Sequence, residues 1–281
     1  MNRNKSLPPS VDLPLFRECP TLCKVSSLLR DHPEINVNWT NGFRWAPLHI
    51  ASFRSNVEVV KLLLAHPNII VNGQDVNGST PFLLGCWNGH VSVVRALLKD
   101  PRVNVTLEDN YGCTPLWCAS FYGHHEVIEG LIASGKDLGD IKNKKGNQRV
   151  IWGRKDYTAL EIARKEKKTE VVTLLERFMA NPAQTRHEIR VKLGVLDELT
   201  AEVFALTVFL CDDQLQLKPA PLVTSFNDAA ATRFFAIAFK LPMELQMVLC
   251  HRAVGSMRQN ILHNDSEAAF KSLARILLVI K

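Results

Sequence analysis

Apolar positions along the chain recur with two nested periods. In "VEVVKLLL" (residues 57–64) they fall three and four apart, the spacing of one face of a helix. The same face returns 34 residues later in "VSVVRALL" and again in "HEVIEGLI". Leu29, Leu63, Leu97 and Leu131 fall in one column, Val25, Val59, Val93 and Val127 in a second, and Pro47, Pro81 and Pro115 in a third. Three columns kept in register over this length define a repeat of 34 residues.

Each copy predicts the same local structure. "DVNG" (75–78) and "DNYG" (109–112) are turns whose last residue favours positive φ, which glycine adopts at little steric cost. Thr80 or Thr114 then caps a helix, and proline in its first turn gives up only an N–H that has no partner there. A short apolar helix such as "PLWCAS" follows. Gly89-His90 and Gly123-His124 break it, and a second helix carries the Val and Leu columns. Two short antiparallel helices and a hairpin cannot close a core alone, so each copy must stack on its neighbours. A further copy, "TALEIARKEKKTEVVTLLERF" (158–178), lies 44 rather than 34 residues on, as the step from Pro115 to Ala159 shows. The turn "NKKG" (143–146) still stands 34 after "DNYG", so a ten-residue insertion lies between 147 and 157.

The motifs "TP", "PLH", "NGH" and "VVKLLL" resemble the ankyrin repeat over residues 14–180. The resemblance implies an all-α fold: an ankyrin-repeat solenoid of helix-turn-helix units with β-hairpin fingers. Arg44 departs from the pattern by replacing the turn glycine, and Ala159 by replacing the proline. Residues 13–38 read as a degenerate N-terminal copy, preceded by a disordered tail over 1–13. From Asn181 the long period is lost while helical spacing persists in "LDELTAEVFALTVFLC", "AAATRFFAIAF", "PMELQMVLCHRAV" and "SEAAFKSLARILLVI". Residues 181–281 therefore predict a small helical C-terminal domain or cap.

Cys113, Cys118, His124 and His125 place metal-ligating residue types close together. Zinc motifs need close ligand spacings that this stretch lacks. The repeat instead puts Cys113, Cys118 and His124 in structural positions, and His49 likewise in "PLH". The resemblance implies that the histidine after glycine bonds backbone groups and locks a loop. No metal and no cofactor is expected. The chain also lacks a glycine-rich phosphate loop, HExxH, GxSxG and a paired CxxC, which predicts binding rather than catalysis.

Aromatic residues mark the expected binding surface. Phe53, Trp87 and Phe121 each stand six residues after a repeat proline, Tyr122 adjoins the third, and Phe43, Trp45 and Tyr111 fall on the fingers. The resemblance implies that partners bind the finger tips and the exposed face of the first helix. Trp45, Phe53, Trp87, Tyr111, Phe121 and Tyr122 are therefore the expected partner-binding residues. On sequence two readings stand: an open groove, or a column consumed by packing between repeats or covered by the C-terminal region. Trp117 is ambiguous, because it fills a position where the family often carries histidine. Trp87→Ala is expected to weaken partner binding by about 2 kcal/mol and leave the fold intact.

The charge distribution adds a second surface. The chain of 281 residues carries a net charge of +6, and the stretch from Lys136 to Lys168 holds all of it, with eleven Lys or Arg against five Asp or Glu. Within the insertion, Arg149, Trp152, Arg154 and Lys155 make a basic, aromatic finger suited to an anionic ligand: an acidic peptide, an RNA strand or a lipid surface. The alternative is a solvated loop. "LPMELQMVLC" (241–250) resembles the start of an F-box, which would dock on a Skp-type adaptor of a ubiquitin ligase while the repeats select substrate. After Cys250 the sequence departs from that pattern, and the alternative is an ordinary helical cap. No apolar stretch reaches bilayer-spanning length, the N-terminus lacks a signal-peptide core, and seven cysteines without a regular framework fit reduced thiols. The expectation is a monomer in the cytoplasm, with the nucleus also open to it. Its partner is expected to be a protein, with nucleic acid the less favoured ligand.

Overall fold

Helix boundaries in the repeats follow from their caps. The computed structural model describes residues 35–146, 156–211 and 241–254, with single positions at 27, 31, 32, 238, 261 and 269. Among the described residues the first complete helix pairs are α1 (Pro47–Phe53) with α2 (Val57–Leu64), α3 (Pro81–Trp87) with α4 (Val91–Leu98), and α5 (Pro115–Tyr122) with α6 (His125–Ser134). A two-residue strand pair, β1 (Lys145–Gly146) and β2 (Tyr157–Thr158), precedes α7 (Ala159–Lys165) and α8 (Thr169–Ala180). The hydroxyls of Thr80 and Thr114 accept the N–H groups of Leu83 (3.1 Å) and Trp117 (3.2 Å), as N-caps do. Without a first-turn proline, α7 starts from a reciprocal box: the Thr158 hydroxyl accepts the Glu161 N–H at 3.2 Å, and the Glu161 carboxylate accepts the Thr158 N–H at 2.8 Å. At α1 the cap position is Ala46, which has no side-chain oxygen; its own N–H donates to His49 Nδ1 at 3.1 Å instead.

The first helices form one row, with α1 on α3, α3 on α5 and α5 on α7. The second helices form another, with α2 on α4, α4 on α6 and α6 on α8. Between them lie the columns read from sequence. Leu63, Leu97, Leu131 and Leu175 are fully buried, as are Val59, Val93, Val127 and Val171 within a few per cent. Each such leucine contributes about 1.5–3 kcal/mol by leaving water. Val25 and Leu29 lie outside the described residues; in their copy Ser27 and Asp31 are helical.

The fingers differ from the expected hairpins. In the first three repeats they are single turns, closed by Asn41 N–H to Trp45 O (3.1 Å), Asp75 N–H to Ser79 O (3.0 Å) and Asp109 N–H to Cys113 O (3.1 Å). Among the described residues, strand pairing occurs at the insertion, where Lys145 faces Thr158 and Gly146 faces Tyr157. Residues 147–155, and with them Arg149, Trp152, Arg154 and Lys155 of the expected anionic finger, lie outside the described residues.

The chain divides into two units, Met1–Arg186 and His187–Lys281. Helix α9 (Pro182–Lys192), not anticipated from the apolar pattern, crosses this boundary. Its sequence "PAQTRHEIRVK" is mostly polar, so no apolar stripe announces it. In the second unit α10 (Val195–Cys211) packs on α11 (Met243–Ala253). Ala201, Ala205 and Ala269 are buried together with Ile261 against them, and the Thr207 hydroxyl lies 3.9 Å from the Cys250 sulfur. The other two helices expected at this end fall largely outside the described residues, where Ala238 and Ala269 are helical.

Two columns require left-handed backbone. Gly78 and Gly112 (φ 79° and 73°) end the finger turns, and Gly89 and Gly123 (φ 72° and 81°) end the first helices. Where those columns hold other residues the backbone keeps the same sign: Arg44 at φ 60°, Ser55 at 58° and Lys167 at 55°. A Cβ on Gly89 would stand 2.5 Å from His124 Nδ1, so this glycine also permits a close approach between repeats. Gly89→Ala should therefore destabilise the repeat unit by about 2 kcal/mol. Ser55→Gly removes strain and should stabilise it by a few tenths to about 1 kcal/mol. Urea unfolding followed by circular dichroism separates the two; equal midpoints would show that neither position is strained.

Candidate functional site

Side-chain bonds across repeats set the geometry of the finger and first-helix face. One carboxylate or amide per finger organises its turn. Asn41 Oδ1 accepts from Phe43 and Trp45 N–H (both 2.9 Å), Asp75 Oδ1 from Asn77 and Ser79 (both 2.8 Å), and Asp109 Oδ1 from Tyr111 and Cys113 (both 2.9 Å). Neighbouring fingers are then joined by backbone bonds, Val76 N–H to Phe43 O at 3.2 Å and Asn110 N–H to Asn77 O at 2.9 Å. The finger tips are thereby held at fixed spacing. They present Phe43, Val76 and Tyr111, which are 68%, 45% and 40% exposed.

The glycine–histidine motifs connect the first helices. His90 Nε2 donates to Phe53 O at 2.9 Å, and His124 Nε2 donates to Trp87 O at 3.0 Å. Each histidine thus satisfies a carbonyl left open at the end of the preceding repeat's first helix. On the opposite edge Asn38 and Asn72 do the equivalent for the outer loops. Asn38 donates to Asn68 O (2.7 Å) and accepts from Ile70 N–H (2.8 Å); Asn72 donates to Arg102 O (2.8 Å) and accepts from Asn104 N–H (2.9 Å). The two asparagines stand 34 residues apart, which is the signal the sequence reading passed over.

The six expected partner-binding aromatics separate into distinct environments. Phe53 is 42% exposed, and Trp45 packs beside it with ring centres 5.2 Å apart. The Trp45 indole N–H donates to Asp75 Oδ2 at 2.9 Å, which pins the ring across to the second finger. Tyr111 is exposed on the third finger. Trp87 and Tyr122 are half-buried with their rings 5.2 Å apart, and Tyr122 also meets the edge of Phe121 at 4.7 Å. Phe121 itself is buried, stacked on Trp117 at 5.5 Å within a cluster that includes Leu83, Cys118 and Ile162. The column at 34-residue spacing is therefore not uniform: its first rung is open, its second is half covered, and its third belongs to the core. Trp87 borders that cluster, so its removal would also disturb packing between repeats.

Trp117 resolves in the same frame. His49 Nε2 donates to Ser79 O at 3.3 Å, two residues before the next first helix. Trp117 Nε1 donates to Tyr157 O at 2.8 Å, the carbonyl at the same place in its next repeat. The indole N–H thus performs the imidazole's task across the insertion. Cys113 and Cys118 lie buried around this tryptophan, and burial pushes the Cys118 thiol well above its ordinary value. His125 pairs with Glu129 at 3.3 Å. Among the described residues no three His, Cys, Asp or Glu side chains are grouped to hold a metal ion.

Stacked helix pairs, each bonded to the next through its turns, with apolar side chains offered at the turns, define a helical-repeat interaction module. Residues 20–109 and 69–145 match the family model of ankyrin repeats (3 copies), so this part of the chain is built of ankyrin repeats. No curated protein matches the chain. Beyond the matched residues, α7 and α8 repeat the layout of α5 and α6, with the same turn, cap and leucine column. Ankyrin repeats serve protein–protein interaction and in general act without catalysis. No helix of the described residues is long and apolar enough to cross a membrane.

Two outcomes follow from the histidine and tryptophan bridges. Trp117→Phe keeps the ring but leaves the Tyr157 carbonyl unpaired, and should cost about 1–2 kcal/mol in urea unfolding; Trp117→His should recover part of that. Burial is the chief cause that lowers the His49 and His124 imidazoles below their ordinary value, against the pull of Asp75 on the first and the Trp87 carbonyl bond on the second. The folded state favours the neutral rings. Their contribution is present above about pH 6.5 and is lost as the pH falls below it. The fall in unfolding midpoint between about pH 7.5 and pH 5 should therefore shrink in His49→Gln. An unchanged fall would exclude His49 as a source.

Proposed function

We propose that this protein is a recognition scaffold that holds a protein partner against its finger tips and first-helix face. Phe53, Tyr111 and Trp45 make the primary contacts, Trp87 and Tyr122 a half-open shelf beside them, and Phe121 a buried support. The observation that carries this reading is the set of four exposed apolar side chains, Phe43, Phe53, Val76 and Tyr111, on one bonded array. Large apolar groups gathered on a rigid surface are the pattern of a binding site, because leaving them in water costs free energy that a partner recovers. The fingers are joined before any partner arrives, so little ordering entropy is lost on binding.

A second reading has its own observation. Met243 and Leu245, at the start of α11, are 59% and 51% exposed, and they fall within the segment that resembles an F-box. On that reading the helix docks on a ubiquitin-ligase adaptor and the repeats choose the substrate.

Cross-linked capture from host extract with the full chain tests both. Phe53→Ala with Tyr111→Ala should weaken capture of the principal partner by about 2 kcal/mol and leave the unfolding midpoint within about 0.5 kcal/mol, since both rings are exposed. Partners retained undiminished by that variant would place the interface elsewhere. An adaptor captured by the parent chain and lost from Met243→Asp with Leu245→Asp would make the ligase reading the better one.

A further inference from the structure

The first repeat carries a feature that the others lack. Phe43 is followed by Arg44, and Phe53 by Arg54; all four side chains are exposed. The rings of Trp45 and Phe53 are 5.2 Å apart, which brings the finger segment 43–45 and the helix end 53–54 together. Each guanidinium is thus borne by the residue next in chain to one member of this aromatic pair.

Among the described residues neither arginine side chain has a hydrogen-bond or ion-pair partner. Among the described residues Arg44 takes part only through its backbone N–H, to Asn41 O at 2.9 Å, and Arg54 only through its backbone N–H, to Ile50 O at 3.0 Å. Asp75, the carboxylate bonded to Trp45, is spent: Oδ1 accepts from Asn77 and Ser79, Oδ2 accepts from Trp45, and the residue is buried. Arg102, Arg164 and Lys61, by contrast, sit in ion pairs with Asp100, Glu176 and Glu58. Arg44 also occupies a position where the next two repeats have glycine, at φ 60°. A long side chain in left-handed backbone costs about 1 kcal/mol, and among the described residues no side-chain hydrogen bond or ion pair of Arg44 offsets it.

We infer that Arg44 and Arg54 form a clamp for carboxylates, and that the partner segment seated on this face is an acidic peptide with an apolar side chain between its acids. The inference rests on the finger and first-helix face being the binding surface. The apolar residue would lie against Phe43, Trp45 and Phe53, and Asp or Glu on either side would take the two guanidiniums as charge-assisted bonds. Charge complementarity favours this occupant. Among the described residues beside this aromatic pair the two arginines are unpaired, and the acid, Asp75, is internally bonded. An RNA strand fits less well. It needs cations along a track, whereas here the two arginines adjoin one aromatic pair and the next two fingers present Val76 and Tyr111.

The test is a random-peptide display library panned on the full chain, with the selected peptides and their Gln-for-Glu, Asn-for-Asp counterparts then titrated. The variants are Arg44→Gly with Arg54→Gln, and separately Phe53→Ala with Tyr111→Ala. Arg44→Gly installs the glycine of the neighbouring repeats, so the fold should be retained. The expected pool pairs an apolar residue with flanking acids. The arginine variant should bind those peptides about tenfold more weakly and the neutral counterparts unchanged, the size set by two exposed ion pairs. Apolar peptides without acids, or acidic peptides that bind the arginine variant as tightly as the parent, overturn the clamp while the binding face stands. A pool with no enriched sequence, or peptides indifferent to the loss of Phe53 and Tyr111, overturns the clamp and the binding face together.

Discussion

Every helix pair in this repeat array leaves one apolar face that only the next pair can cover. The helices are seven to twelve residues long, too short to persist alone in water. Their stability comes from the columns of Val and Leu that close between repeats. Burial of those columns has no direction, and by itself it would allow neighbouring pairs to slide or rotate. Directional bonds remove that freedom. Histidines after glycine reach back to the carbonyls of Phe53 and Trp87, asparagines tie the outer loops, and backbone bonds link the fingers. The apolar columns supply most of the energy, and the polar bridges define the register.

Register has a functional consequence, because the exposed face is made from residues in different repeats. Phe43, Val76 and Tyr111 belong to three fingers, and Phe53 to a helix end. Their relative positions are set by bonds on the protected side of each turn, through Asn41, Asp75 and Asp109. The same logic explains how a ten-residue insertion is accommodated. It enters at a finger, where the chain already projects, and the strand pair at its base together with the Trp117 bond to Tyr157 keeps α7 in register with α5. A lengthened loop at such a site adds little entropic cost while leaving the columns untouched.

Departures from the repeat pattern are informative about what each position does. Ala46 cannot cap its helix, and His49 takes the free N–H in its place. Ala159 lacks the ring of proline, and the Thr158–Glu161 box starts the helix instead. Arg44, Ser55 and Lys167 keep the left-handed backbone without glycine, so the conformation is imposed by the surrounding bonds and is not a choice of the residue. In each case the geometry is retained while the chemistry that produces it changes. The neighbours on both sides already specify where the chain must run.

Much of the fold was legible in the sequence, since a period of 34 residues, a capping Thr-Pro and a Val–Leu face each have a single physical reading. The exceptions were α9, whose polar sequence carries no apolar stripe, and the fingers, which close as single turns in three repeats. The site was legible only in outline. Equal spacing placed Phe53, Trp87 and Phe121 in one column, but exposure depends on what the folded chain brings against each ring. Trp45 leans on Phe53, Tyr122 covers Trp87, and Trp117 stacks on Phe121. Likewise, sequence could not say whether Trp117 faced a partner, because the carbonyl it bonds lies forty residues away across an insertion. Sequence by itself determined the repeating unit, since helix spacing, caps and turns are local properties of the chain. Tertiary structure alone decided which aromatic rings remain open, because burial is a property of side-chain contacts made in the folded chain, within and between units.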